Sequence, residues 1–386
     1  MKYDFDFETI RKNTNSLKWD DVDSKYPMWV ADMDFKTAPE ITGGFLKRIN
    51  EGIFGYNILN DKFYDSYINW WKNYHDFEME KDWIIFSTGV VPSISSAVRS
   101  LTKVNDNIVI LTPVYNIFFN SIINNKRIVL ESPLKYHNYQ YEIDFLDLEN
   151  KLKLENTTML IFCNPHNPVG KIWTKEEIAK VGELANKYNV TVISDEIHCD
   201  IVRPGLKYVP FQSVNDVCKN VSVSLIAPTK CFNLAGIQTS AAVIPNKKIK
   251  ALFERGLNTD ECAEGNTLAV ITPELAFNLG RNWLLEMNEY VFNNRDFVKK
   301  YFEENIKDFH VIDGDATYLI WVDCNGINSK DLRDFIYKKT NVFLSDGLAY
   351  GKTGEGFLRI NVATTKRRII EALELIKNAI NEYQNK

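Results

Sequence analysis

The sequence has no apolar run that approaches the length of a membrane span, and its first residues, MKYDFDFETIRK, are studded with charge where a secretory leader carries an apolar stretch. A soluble cytoplasmic protein is the expectation. Long blocks of like charge are missing too, and the formal net charge is only −5, which excludes the footprint of a nucleic-acid binder and a polybasic membrane anchor. The six cysteines show no paired spacing, and a chain with 45% hydrophobic residues needs no covalent staples, so they read as reduced thiols. Internal repeats, low-complexity tracts and composition-marked linkers are absent, as is the G-x-G-x-x-G fingerprint of a dinucleotide site. What remains is small-molecule chemistry in a 386-residue chain long enough for two domains.

From about residue 83 to 245, short apolar β-type runs alternate with helical patterns, the signature of a parallel or mixed sheet covered by helices. The clearest unit runs from TMLIFC (158–163) through the turn NPHNPVG to a helix and then VTVISDE (190–196). That helix opens at Thr174 with Glu177 three residues on, the spacing of a capping box. A further β-type run, VSVSLI (221–226), leads to Lys230. Asn167, Asp195 and Lys230 therefore fall at or beyond the carboxyl ends of strands, where open α/β sheets bind ligands. Between about 263 and 305 the pattern is long and helical, and the strand-like TYLIWVD and GFLRINVA follow, so a bridging helix into a smaller α+β domain is expected.

The stretch SLIAPTKCFNLAG (224–236) sets Lys230 among small, apolar and uncharged residues just past a buried strand. A lone lysine in a loop ordinarily snorkels to water. Held without a carboxylate neighbour, its ammonium loses hydration, its pKa falls, and the nucleophilic amine that imine chemistry uses becomes accessible. Asp195 ends the apolar run VTVIS, where a carboxylate is costly to bury unless it meets a cation. Alone it would cap a loop. Paired with a lysine beyond the next strand, it suggests pyridoxal phosphate: the lysine carries the cofactor as an imine and the aspartate keeps the pyridine nitrogen protonated.

NPHNPVG, SDEIH and APTKCFNLAG, with STGVVPS upstream and FLRINVA downstream, resemble the fold-type I pyridoxal-phosphate enzymes of the class I/II aminotransferase family. More narrowly, WVADMDFKTAPEI, GYN at 55–57, TPVYNIF at 112–118 and DEIHCD at 195–200 resemble its cystathionine β-lyase branch, the C–S lyases. The resemblance covers almost the whole chain. It implies an α/β fold with a large cofactor-binding domain over 36–285, built on a mostly parallel central sheet, and a small α+β domain assembled from 1–35 and 286–386. It also implies a homodimer.

Position by position, the resemblance makes Lys230 the imine-forming lysine and Asp195 the partner of the pyridinium nitrogen. His198 stands where many relatives use a tyrosine to contact the ring hydroxyl, which Asn167 would also bond. Tyr115 would lie face-on against the pyridine ring. The phosphate would sit at STGVVPS, where Gly89 allows close backbone approach and the N–H groups of Val90 and Val91 open a helix. Thr229 joins the cofactor set, and Tyr56 would reach the phosphate from the neighbouring subunit. Arg359 fits the clamp on the substrate's α-carboxylate, a task suited to a bidentate guanidinium, with Asn167 beside it and main-chain groups near Ala31 closing from the other side. Two departures stand out. Gln238 occupies the place of a phosphate-binding arginine of aspartate aminotransferases, and Ala227 that of a serine, which leaves the phosphate fewer charged partners and agrees with the lyase branch.

The implied reaction is β-elimination from cystathionine, cysteine or other cysteine S-conjugates to a thiol, pyruvate and ammonia. Lys230 would be the base at the α-carbon, and Tyr115 would assist the departing sulfur. A transaminase on the same scaffold and a pyridoxal-binding regulatory protein with little turnover are the alternatives. A different constellation, Cys163, His166, His198 and Cys199, gathers zinc-type ligands at adjacent strand ends. Adjacent His198 and Cys199 project differently from one strand end, and no metal is expected.

Overall fold

The computed structural model describes residues 2–385. Seven strands form the central sheet: Ile84–Ser87 (β1), Asn107–Thr112 (β2), Ile128–Pro133 (β3), Thr157–Cys163 (β4), Thr191–Asp195 (β5), Ser222–Ile226 (β6) and Ser240–Val243 (β7). Their spatial order is β1-β7-β6-β5-β4-β2-β3, parallel throughout except for β7, which runs antiparallel to both its neighbours. The central strands read as continuous apolar runs because helices cover both faces. Period-two alternation then divides each strand between two cores. Leu160, Phe162 and Val192 pack with Ile178 and Val181 of helix Lys175–Lys187. Met159, Ile161, Ile193 and Val223 pack with Ile94 of helix Val90–Leu101 and Phe253 of helix Lys247–Thr259.

The sequence windows 158–163, 190–196 and 221–226 match their strands within one residue at each end, TYLIWVD and GFLRINVA each overrun theirs by two at one end, and the capping box is present: Thr174 Oγ1 accepts from Glu177 N–H (3.1 Å) while Glu177 Oε2 accepts from Thr174 N–H (2.8 Å). The long helical window is different. It contains two helices, Thr272–Leu279 and Arg281–Asn305, broken at Gly280. A Cβ at Gly280 would stand 2.4 Å from the Phe232 ring and 2.6 Å from the Ala276 carbonyl, so close packing selects glycine there and the chain changes direction. Residues 263–271 are not helical. Asn266 instead turns the chain, its side chain accepting from the Leu268 and Ala269 N–H groups.

A second sheet of four antiparallel strands lies in the C-terminal part, in the order His310–Val311, Leu319–Asp323, Phe357–Asn361, Ser345–Asp346. Helices Ser329–Thr340 and Lys366–Gln384 pack together beside it. The amino-terminal segment is tied to this part, because Tyr26–Pro27 pairs in parallel with Val342–Phe343. Among the described residues no helix is long and apolar enough to cross a membrane.

A buried charge cluster fixes the next stretch of that segment. Lys18, only 1% exposed, places Nζ 3.2 Å from Asp34 and 3.6 Å from Asp32. Arg11 bonds both carboxylates, at 3.1 and 2.7 Å, and the Trp19 indole N–H donates to Asp34 (2.9 Å). Burial pushes the Asp34 pKa up, but the Lys18 charge, the Trp19 N–H and the Arg11 charge together hold it below the ordinary carboxylate value. Because the folded pKa is depressed, this stabilisation is complete above the unfolded pKa and is lost as pH falls through the folded one. Asp34→Asn is expected to lower unfolding free energy by about 3 kcal/mol at neutral pH, since Lys18 stays buried with a weakened partner. Urea midpoints measured down the pH scale should show that deficit shrinking only below about pH 4. A deficit that instead vanished between pH 5 and 7 would refute the assignment.

Candidate active site

A cavity of about 230 Å³ opens at the carboxyl ends of the central strands. Gly89, at the turn after β1, and Val90 and Val91, the first residues of helix Val90–Leu101, reach it, Tyr115 from the turn after β2, and Asn167 from the loop after β4. Asp195 is the last residue of β5 and His198 lies three residues on; Thr229 and Lys230 follow β6. Ala31 arrives from the amino-terminal segment. Ten positions read from sequence as cofactor or substrate residues thus share one cavity wall.

Lys230 is half-buried, and its Nζ donates to the Ala31 carbonyl at 2.6 Å. The Tyr318 hydroxyl donates to the same oxygen at 3.0 Å. Burial lowers the Lys230 pKa; the nearby Asp32 opposes this, Arg359 adds to it, and Asp195 opposes it. Asp195 has the reverse problem. Its carboxylate accepts from the Ile197 N–H (3.1 Å), and among the described residues no cation lies within ion-pair distance. Burial pushes its pKa up to about 7, against the pull of the Ile197 N–H and Lys230. The adjacent Glu196, equally buried, accepts instead from Ser194, Ser224, Tyr208 and the Phe211 N–H. Strand alternation therefore saturates one acid with donors and leaves the other for the cavity.

His198 is held neutral, its pKa pushed down to about 3 by burial and by the positive charges of Lys230 and Arg359. Its Nδ1 is buried without a hydrogen-bond partner. Tyr115 stays protonated, burial raising its pKa to about 12 against the pull of Arg359. At the other end, helix Val90–Leu101 begins at Gly89 with no side chain capping its first N–H groups. Thr88, Thr229, Gln238 and Thr239 line that end, and among the described residues Lys230 is the cavity's one lysine or arginine. Gln238 thus takes part in the wall at the arginine's place, whereas Ala227 is packed in the core of the sheet and does not.

Arg359 lies beside the cavity rather than in its wall. Only 4% exposed, it donates to Asn167 Oδ1 (3.2 Å) and to the Trp29 carbonyl (2.6 Å), its Nε has no partner, and it stacks over the Tyr350 ring. No carboxylate pairs with it among the described residues, so a buried guanidinium is left with donors for an external anion. The loop that closes on Arg359 does so through Trp29; the Ala31 carbonyl serves Lys230. Asn167 spends its oxygen on Arg359, which leaves its amide nitrogen for the cavity. Tyr56 is fully exposed and lies apart, next to residues 264–268. The zinc-type constellation does not share a centre: Cys163 Sγ faces the Pro165 carbonyl (3.3 Å), His166 the Pro113 carbonyl (2.8 Å) and Cys199 the Asp200 carboxylate (3.7 Å).

These residues fit a phosphorylated aromatic aldehyde cofactor. A half-buried amine without a carboxylate, a buried carboxylate without a cation, an orphaned imidazole nitrogen and an uncapped helix start each lack the partner that such a molecule carries. Sequence reading had missed Thr88, Thr239, Asp32 and Tyr318. Thr88 and Asp32 lie inside quoted motifs and Thr239 directly follows Gln238, so these were within reach, but Tyr318 acts 287 positions from Ala31 and no local pattern announces it.

Over residues 40–376 the chain matches the aminotransferase class I and II family. It is 38% identical to cystathionine β-lyase PatB of Bacillus subtilis, covering 98% of this chain and 100% of that protein. Among solved structures it resembles cystalysin from Treponema denticola, which contains a pyridoxal 5'-phosphate cofactor, with a TM-score of 0.96 at 34% identity over 99% of this chain and 100% of that one. A pyridoxal-phosphate-bound C–S lyase from Staphylococcus hominis gives a TM-score of 0.92 at 31% identity over 98% of both chains.

The raised Asp195 pKa sets a pH test for protein with an empty cavity. Unfolded, this carboxyl titrates near its ordinary value of about 3.9; folded, it holds its proton to about pH 7. Its contribution to stability therefore falls as pH rises from about 4 to 7. His198 and Glu196 also titrate differently in the folded state, so the informative quantity is a difference. The urea midpoint of the parent minus that of Asp195→Asn should fall across this window, and a flat difference would contradict the assignment.

Proposed function

The chain belongs to the aminotransferase class I and II family, and we propose that it is a pyridoxal-phosphate-dependent carbon–sulfur β-lyase. It cleaves cystathionine, cysteine or other cysteine S-conjugates to a thiol, pyruvate and ammonia. The observation that carries this reading is Lys230 and Asp195 in one cavity wall, neither with an ion-pair partner among the described residues, in a chain 38% identical along its length to a cystathionine β-lyase.

Pyridoxal phosphate, when bound, supplies an electron sink for a carbanion at the substrate's α-carbon. The chain's residues do the rest. Lys230 would carry the cofactor through its amine, which desolvation drives toward the free base, and that amine is the base placed to take the α-proton. Asp195 would pair with the ring nitrogen and favour its protonated form. Asn167, through its amide, and neutral His198 orient the ring hydroxyl, and Tyr115 packs against the ring. The Val90 and Val91 N–H groups and Thr229 hold the phosphate. Arg359 binds the substrate's α-carboxylate with its free donors. As the C–S bond breaks, its electron pair leaves with sulfur, and Tyr115, still protonated at neutral pH, is the donor for the departing thiolate. Water then converts the three-carbon remainder to pyruvate and ammonia.

Exposed Tyr56 reaches the phosphate of the neighbouring subunit in a homodimer. In the cell the enzyme works in the cytoplasm, on a small amino-acid substrate. The large domain spans 36–285 and the small one 1–35 with 286–386, a division supported by the strand pair that joins Tyr26–Pro27 to Val342–Phe343.

Pure protein given cystathionine alone should release pyruvate and free thiol; turnover that required an added keto acid would identify a transaminase instead. Borohydride should fix the cofactor covalently on Lys230, recoverable by peptide mapping, and Lys230→Ala should yield no such peptide and lose turnover by about 10⁴-fold, the upper range for a positioned base. A reducible lysine linkage surviving in that variant would overturn the assignment. Tyr115→Phe keeps the ring and removes the hydroxyl, so it should slow thiol release about 100-fold while cofactor absorbance and α-proton exchange stay nearly unchanged. Unaltered thiol release would confine Tyr115 to packing.

A further inference from the structure

His198 lines the active-site cavity, and the next residue, Cys199, lines another, of about 500 Å³. There His75 Nε2, Cys199 Sγ and an Asp200 carboxylate oxygen all lie within 4.8 Å of one another. The His75–Asp200 distance is 2.9 Å and the Cys199–Asp200 distance 3.7 Å. In a tetrahedral zinc site with bonds of about 2.0–2.3 Å, ligand atoms stand about 3.3–3.8 Å apart, so small side-chain shifts convert this cluster into a coordination shell.

Three features separate it from an ordinary hydrogen-bonded knot. The donor set is one imidazole, one thiol and one carboxylate, which suits a borderline-soft ion and disfavours magnesium or calcium, whose sites are built of oxygens. The Asp200 carboxylate already has an orienting donor, since the Trp70 indole N–H contacts both oxygens at 3.0 and 3.2 Å; such outer partners fix metal-ligating carboxylates. The cluster also has an entrance, because His75, Cys199 and Asp200 all line the second cavity. The cations around that cavity are engaged elsewhere: Arg203 with Asp296, Lys207 with Asp76, and Arg281 stacked on Tyr74.

We propose that His75, Cys199 and Asp200 form a binding site for a thiophilic divalent cation of the zinc class, with a water molecule from the adjoining cavity as fourth ligand. Binding replaces the Cys199 S–H bond by a sulfur–metal bond, and the proton leaves to solvent. Neither the reaction proposed above nor its cofactor is needed for the site to form.

The full-length, cofactor-loaded protein, dialysed against a chelator and then freed of it, is titrated with Zn²⁺ by calorimetry and with Co²⁺ by absorption. One ion per chain is expected, with a thiolate-to-cobalt charge-transfer band and visible bands of tetrahedral intensity. Cys199→Ala should weaken Zn²⁺ binding by about 100-fold or more and abolish the charge-transfer band, since loss of even an outer-shell partner costs 10–100-fold. Equal affinity in parent and variant, or no binding to the parent at tenfold excess Zn²⁺, would overturn the proposal and leave a hydrogen-bonded cluster. Should Cys199→Ala fail to fold, the parent's cobalt spectrum decides alone: a spectrum without the thiolate band refutes the site.

Discussion

Desolvation of ionisable groups at one end of the central sheet is the constraint on which the rest of this molecule turns. Asp195, His198 and Arg359 are buried there and Lys230 is half-buried beside them, and their mutual charges do not cancel. An isolated buried charge is costly, and proteins relieve that cost by neutralising the group or by pairing it. Here the directions of the pKa shifts show neutralisation under way: the amine is driven toward its free base, the acid toward its protonated form, and the imidazole is kept neutral. A ligand carrying an aldehyde, a basic ring nitrogen and an anion supplies each missing partner at once, so the strain of the site is also its selectivity.

Holding four such groups together requires a frame that does not relax. The parallel strands provide it, because their side chains pack on both faces against covering helices. The amino-terminal segment provides the remaining wall. Asp32 and Asp34 are fixed by Arg11 and Lys18, Asn233 accepts from the Met33 N–H and donates to the Met33 and Phe35 carbonyls, and the Asn361 amide donates to the Val30 and Asp32 carbonyls. The Arg11 and Lys18 contacts are local to the segment, those of Asn233 and Asn361 reach it from about 200 and 330 residues away, and together they flank the Ala31 carbonyl that meets Lys230 and Tyr318. Damage to the charge cluster at Lys18 should therefore be felt at the active site even though no member of it lines the cavity.

The same segment of β5 and its following turn serves two compartments. Asp195 and His198 face the cofactor cavity, while Glu196 is consumed by four donors inside the fold and Cys199 and Asp200 belong to the second cavity. Such close spacing of differently assigned polar residues follows from the tight turn after a strand, where successive side chains diverge.

Sequence by itself determined the alternation of strands and helices between 83 and 245, the capping box at Thr174, and the placing of Asn167, Asp195 and Lys230 at strand ends. Each of these is a local matter of periodicity, capping or breaker residues, and motif order added the family. Tertiary structure alone decided what depends on contacts between distant segments. The break at Gly280 exists because Phe232 occupies the space a side chain would need; the helical pattern running through it carries no trace of that neighbour. Lys18 reads as a surface lysine until Asp32 and Asp34 fold over it. Tyr318, in an unremarkable β-type run, becomes a wall of the lysine's environment through a partner 287 residues away. Arg359 is legible as a clamp, but its spare donors are known only once the loop carrying Trp29 and the side chain of Asn167 have taken their places around it. Burial and partnership are properties of the packed chain, and they, rather than residue type, set the charge state of every group in the site.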